Sequence, residues 1–143
     1  PYYEPPLWAF YFLSLKRFIE PAGQPPARFE ARSVAGLVAT SLAFSSYSGS
    51  SQMLLLATLA STGLLLAMFH TRTDLAYAGW ALVLGLIIEL FGVTTGLWFY
   101  PDPDFLGIPY WFATMWISVG LLGRRFLLPV SGWLAGRAPA QRA

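Results

Sequence analysis

LAYAGWALVLGLIIELFGVTTGLWFY, residues 75–100, carries a single charged side chain, Glu89. A helix needs about 20 mainly apolar residues to cross a bilayer, so this run reads as a membrane span. It has company. No charged side chain occurs from Ser33 to Phe69, and from Leu75 to Gly123 only Glu89, Asp102 and Asp104 do. Apolar types make up 56% of the 143 residues and charged types 11%, against about a quarter charged in soluble domains. A chain in water has nowhere to hide uncharged runs of that length. Lipid is the solvent they fit.

Working outward from that run gives four spans, at about 32–47, 52–69, 75–100 and 108–128. The small residues Ser48 to Ser51 suit a turn between the first two. His70 to Asp74 separates the second from the third, and Pro101 to Asp104 the third from the fourth. Pro109 falls in the first turn of the fourth, where its missing N–H has no helical partner to lose. With the N-terminus inside, Lys16, Arg17, Arg28, Arg32, Arg72, Arg124, Arg125, Arg137 and Arg142 all fall on the cytoplasmic side. That is every lysine and arginine in the chain, the bias that orients bacterial inner-membrane proteins. A three-span or five-span arrangement would break it. The expected fold is therefore an all-α integral membrane four-helix bundle in the inner membrane, with both termini cytoplasmic.

Residues 1–26 precede the spanning domain at 27–129, and 130–143 form a cytoplasmic tail that is expected to be disordered from Gly136. Pro6 to Ile19 is apolar and aromatic but too short to cross, and Ser14, Lys16, Arg17 and Glu20 give it a wetter side. It reads as an amphipathic helix lying in the cytoplasmic interface, with docking on a partner protein as the alternative. Gly23 to Pro26 reads as a short stiff linker. The two helical hairpins do not repeat one another, which counts against an inverted-repeat transporter.

Glu89 lies about 20 Å into its span at 1.5 Å per residue, where a lone charge costs roughly 3 kcal/mol unless it is neutralised or paired. Gly85, Glu89, Gly92 and Gly96 form one stripe, extended by Ala78 and Ala81, and glycines there admit a close helix neighbour. Thr58, Ser61 and Thr62 on the second span, and Thr114 and Ser118 on the fourth, are the expected partners of Glu89. Two roles compete: an interhelical hydrogen-bonding clip, or a buried acid for proton chemistry or ligand binding. Catalytic carboxyls usually work against a second group, and none lies at that depth. Asp102 and Asp104 read as turn formers and a cap rather than a cation site. His70, the one candidate ligand for a (bacterio)chlorophyll or haem, reads better as a helix cap beside Arg72. Trp8 at the inner side, and Trp98, Tyr100, Tyr110 and Trp111 at the outer, read as interfacial anchors.

Glu89-x-x-Gly92-x-x-Thr95-Gly96-x-x-x-Tyr100 resembles a segment of the membrane carotenoid-modifying proteins, the hydratases and lycopene-cyclase-type domains. That likeness implies an isoprenoid-modifying enzyme with Glu89 as its acid. Trp98 to Arg125 is similar to a widespread group of small bacterial inner-membrane proteins sharing Gly-x-Trp-x-Tyr, Gly-Ile-Pro-x-Trp and Arg-Arg. This second likeness spans about half the chain and implies a four-helix fold without an activity.

Zero cysteines exclude disulfides and thiolate metal sites, and one histidine excludes a His-based cluster. The basic residues flank spans, so the pI of about 9.2 reflects topology and no nucleic-acid partner is expected. The expected function is a non-catalytic accessory subunit of a larger membrane complex, with a bacterial photosynthetic reaction centre and its light-harvesting antenna as the assembly of choice. Its partners are then other integral membrane subunits and phospholipids. No cofactor of its own is expected, but aromatics at 17% suit contacts with carotenoid, (bacterio)chlorophyll, quinone or lipid. The alternative is the carotenoid or isoprenoid enzyme using Glu89, and a weaker one a small transporter.

Overall fold

A computed structural model of the chain describes residues 4–20, 28–45 and 49–137. The regular elements among them are helices: α1 (Glu4–Ile19), α2 (Arg32–Ser45), α3 (Ser51–Met68), α4 (Arg72–Thr94), α5 (Trp111–Leu122), a π-helical turn (Gly123–Leu127) and α6 (Leu128–Arg137). The linker at 23–26, the end of the first expected span at 46–47 and the tail beyond Arg137 lie outside the described residues. α3 and α4 are each long and apolar enough to cross a membrane.

α4 departs most from expectation. It starts early because Thr71 and Asp74 cap it reciprocally: Asp74 N donates to Thr71 Oγ1 (3.2 Å), and Thr71 N donates to Asp74 Oδ2 (3.0 Å). It stops at Thr94 instead of running to Tyr100. Thr94 and Thr95 turn their hydroxyls onto the Leu90 and Phe91 carbonyls at 2.6 Å. Gly96 then takes φ +71°, and Leu97 N reaches back to Gly92 O at 2.9 Å, the six-to-one bond that ends a helix at a left-handed glycine.

α5 also begins late. Pro109 precedes its N-cap, Tyr110. A tight turn at Leu106 (φ 50°) and Gly107 (φ 82°), closed by paired bonds between Phe105 and Ile108, takes Ile108, the expected start of the helix. The far end runs past the expected stop at Pro129 to Arg137. Pro129 cannot donate to the carbonyl one turn back, and the π turn immediately before it absorbs the mismatch, with Leu128 N bonded to Gly123 O. Residues 130–137 of the expected tail are therefore helical, Gly136 and Arg137 of the stretch expected to be disordered among them.

α5 sits at the centre. It runs parallel to α3, because Thr58 meets Thr114 and Thr62 meets Ser118. It runs antiparallel to α4, because Gly120 lies against Tyr77 and Ala81 while Trp116 fills the space over Gly85. α2 returns along α3, with Gly36 against Leu65 and Phe44 against Trp111 (5.9 Å between rings). One core cluster joins Tyr11, Leu15, Tyr77, Ala81, Phe112 and Trp116 across α1, α4 and α5. A second joins Leu65, Phe69, Ala78, Leu121 and Leu122 across α3, α4 and α5. Of the residues expected on the wetter side of α1, Arg17 is exposed, Ser14 and Lys16 are half-buried and Glu20 just beyond the helix is buried, while Phe10, Leu13 and Phe18 also face outward.

Polarity is inverted across the bundle. α3 buries Thr58, Ser61 and Thr62 and exposes Met53, Leu56, Leu59 and Leu64. α4 buries Asp74 and Glu89 and exposes Leu75, Val83, Ile87 and Phe91.

Candidate functional site

The early end of α4 builds the site around Glu89. Once the chain reverses at Gly96, Trp98 lies flat on Gly92, so close that a Cβ there would sit 2.0 Å from Trp98 Cζ2. Trp98 Nε1 donates to Glu89 Oε2 at 3.1 Å, and the Tyr100 hydroxyl donates to the same oxygen at 2.7 Å. Tyr100 is held from behind by Phe112 (4.7 Å between rings) and Trp111 (6.4 Å). Burial, together with the hydrogen bond to Glu89, holds the Tyr100 phenol above the ordinary tyrosine range, so it stays a donor. The loop is fixed further by Gly107 against Val93. Asp104 Oδ2 accepts from Tyr110 N at 2.8 Å and so closes the start of α5.

Glu89 is thus a clip between α4 and its own following loop, not between helices. The hydroxyls expected to serve it are engaged with one another. Thr114 Oγ1 donates toward Thr58 Oγ1 (2.8 Å) and Trp111 O (2.6 Å). Thr62 Oγ1 donates to Thr114 O (3.1 Å) and shares a bond with Ser118 Oγ (2.9 Å). Ser61 turns back onto Thr58 O at 3.1 Å. Thr58, Thr62, Thr114 and Ser118 form a polar seam between α3 and α5, with no part in the Glu89 site. The glycine stripe divides in the same way. Gly85 receives Trp116 and Gly92 receives Trp98, but a Cβ at Gly96 would meet nothing within 4 Å. Gly96 ends the helix; it does not pack. The closest helix approach is instead at Gly120, where a Cβ would lie 2.4 Å from Tyr77 O.

At the opposite end of α4 lies a second cluster that sequence reasoning missed. Asp74 is fully buried. Its Oδ1 accepts from Arg125 Nε (2.7 Å) and from Arg124 Nη1, and its Oδ2 from Arg125 Nη2 (2.6 Å) and Thr71 Oγ1 (2.6 Å). Arg125 continues through Nη1 to Glu30, which also pairs with Arg32. The guanidiniums of Arg32 and Arg125 lie against the Phe69 ring at 4.8 and 5.2 Å. The cluster joins the starts of α2 and α4 to the end of α5. One available signal was that Glu30 and Asp74 each stand two residues from an arginine, Arg32 and Arg72, at span ends that an antiparallel arrangement brings level with Arg124 and Arg125.

Of the remaining residues, His70 and Trp8 lie apart from both clusters. His70 is exposed, with Nδ1 3.2 Å from Ala67 O at the end of α3. Trp98 and Tyr110 are partly open to the surroundings beside the loop, and Trp111 stacks on Phe112 at 4.1 Å. Trp8 stacks on Trp116 at 5.7 Å, away from the Asp74 cluster. Comparison with protein families, with curated proteins and with solved structures returned no match to this chain.

Proposed function

We propose that the chain is a non-catalytic, membrane-embedded subunit that contributes a packed helical bundle to a larger integral membrane assembly. In this reading α2 to α5 are its four spans, and the end bearing Arg32, Arg124 and Arg125 faces the cytoplasm of a bacterial inner membrane. The observation that carries it is the inverted polarity: hydroxyls and carboxylates inside, leucine, isoleucine and phenylalanine outside. Water would not tolerate that exterior, whereas lipid matches it and leaves interior hydrogen bonds to hold the helices together. Glu89 supports the non-catalytic half. Its Oε2 already accepts from Trp98 and Tyr100, and an acid held by two donors of its own chain is built to position a loop.

The test is fractionation followed by mild-detergent purification of the tagged chain from its native membrane. Retention in the membrane after an alkaline carbonate wash and co-elution with other membrane subunits are expected. Release by carbonate would sink the embedded bundle. A lone monomer would sink the role as a subunit.

A further inference from the structure

An interfacial helix would meet a bundle at one level, across its end. α1 does something else. Trp8 stacks on Trp116, whose ring covers Gly85, and Phe12 packs on Gly123. Those α5 positions are about 10 Å apart along the helix. On α4 the order runs the other way over a shorter stretch: Tyr11 donates to Ala81 O at 3.0 Å, while Phe18 meets Trp80. The contacts therefore step along both neighbours in chain order, parallel to α5 and antiparallel to α4. Extended one turn back from Trp8, the start of α1 comes level with Leu86 to Glu89.

We infer that α1 is a fifth membrane-embedded helix, packed lengthwise on α4 and α5 with its outer face against lipid acyl chains. The inference rests on the embedded bundle proposed above. Phe10, Leu13 and Phe18 are 70%, 64% and 71% exposed, and Phe18 stacks on the half-exposed Trp80 of α4 at 6.1 Å. The face thus continues the apolar exterior of α4 at the same depth. A lipid surface is the one occupant that covers both without a seam. Lys16 and Arg17 stand in the last turn of α1, at the end where Asp74, Arg124 and Arg125 gather. Adding this helix therefore keeps the basic residues on one side, contrary to the expectation that a fifth span would break the bias. The start of α1 then lies on the Glu89 side, opposite α6.

The chain has no native cysteine, so single-cysteine variants read the arrangement directly in spheroplasts. With a membrane-impermeant maleimide, Glu4→Cys and Asp102→Cys are expected to react before permeabilisation, and Gly136→Cys only after it. If Glu4→Cys behaves like Gly136→Cys while Asp102→Cys reacts from outside, the fifth helix is overturned and the four-span bundle stands. If Asp102→Cys and Gly136→Cys react alike, the bundle itself fails. A spin label at Leu13→Cys is expected to be relaxed by oxygen and not by a water-soluble nickel chelate. Relaxation by nickel places that face in water, and protection from both reagents places it under another helix. Either result overturns the lipid assignment.

Discussion

Two donors, the Tyr100 hydroxyl and the Trp98 indole, end on one oxygen of Glu89, so the effect of changing that residue depends on whether an acceptor survives. Glu89→Gln keeps a carbonyl oxygen in place and is expected to cost less than about 1 kcal/mol. Glu89→Leu leaves both donors without an acceptor and is expected to cost about 1–3 kcal/mol for each that stays dry. Thermal unfolding in detergent, with limited proteolysis between 95 and 109, measures both. An equal loss in the two variants would mean that the carboxyl itself, rather than an acceptor, is required. The glycines order themselves by what a methyl group would strike. At Gly120 it meets the Tyr77 backbone carbonyl, at Gly85 the buried ring of Trp116, and at Gly92 the ring of Trp98, which is 36% exposed and has room to move. Alanine should therefore destabilise most at 120, less at 85 and least at 92, within the roughly 1–3 kcal/mol range of overpacking. Alanine at Gly63, where no atom lies within 4 Å, serves as the neutral control.

Among the elements, α3 and α4 were legible because length and hydropathy alone define them, while their ends and partners were not. Leu97 to Tyr100 are as apolar as the helix before them, so hydropathy carried α4 six residues too far. The stop is written in Thr94-Thr95-Gly96. Gly96 also sits four residues after Gly92, a spacing that fits a packing stripe and a helix stop equally well. Only the tertiary position of Trp98 decides between them. The Asp74 cluster was hidden for a different reason. Asp74 and Arg125 are 51 residues apart, no local pattern encodes such a pair, and next to apolar spans arginines first read as topology markers. Its energetics now follow from burial. The Asp74 side chain is fully buried and that of Arg125 is 12% exposed, and removing one partner of such a pair strands the other. Asp74→Asn is expected to cost about 3–5 kcal/mol and to loosen α2 as well as α4, because Glu30 is held through Arg125. Arg125→Lys keeps the charge but loses the paired contact from Nε and Nη2, and its stability should fall between that of Asp74→Asn and that of the unaltered chain. Melting temperature, with hydrogen exchange at the start of α2, checks both. An unchanged α2 in Asp74→Asn would show that the three helices are not coupled at this end.

For the whole molecule the two clusters set a thickness. Asp74 and Glu89 are fifteen residues apart on one continuous helix, or about 22 Å, and between them the exterior of α4 is apolar. The aromatic residues of the outer loop, Trp98 and Tyr100, are tied down at the level of Glu89, where an interfacial belt would stand. The described part of α2, 14 residues, spans about 21 Å. A hydrocarbon core is typically about 30 Å thick. Embedded as proposed, a bundle whose clusters stand this close would thin the bilayer around it or bury its ends, at a fraction of a kcal/mol per Å of mismatch. The protein is therefore expected to be most stable in phosphatidylcholine with 14-carbon chains, and to lose melting temperature or cluster as chains lengthen toward 22 carbons. Reconstitution across a chain-length series, read by thermal unfolding and by energy transfer between labelled copies, measures this. A flat profile, or an optimum at the long end, would mean that the Glu89 clip and its aromatic loop lie inside the hydrocarbon rather than at its boundary. The apolar exterior would then extend beyond α4, onto Phe99, Phe105 and Leu106, which the loop leaves exposed.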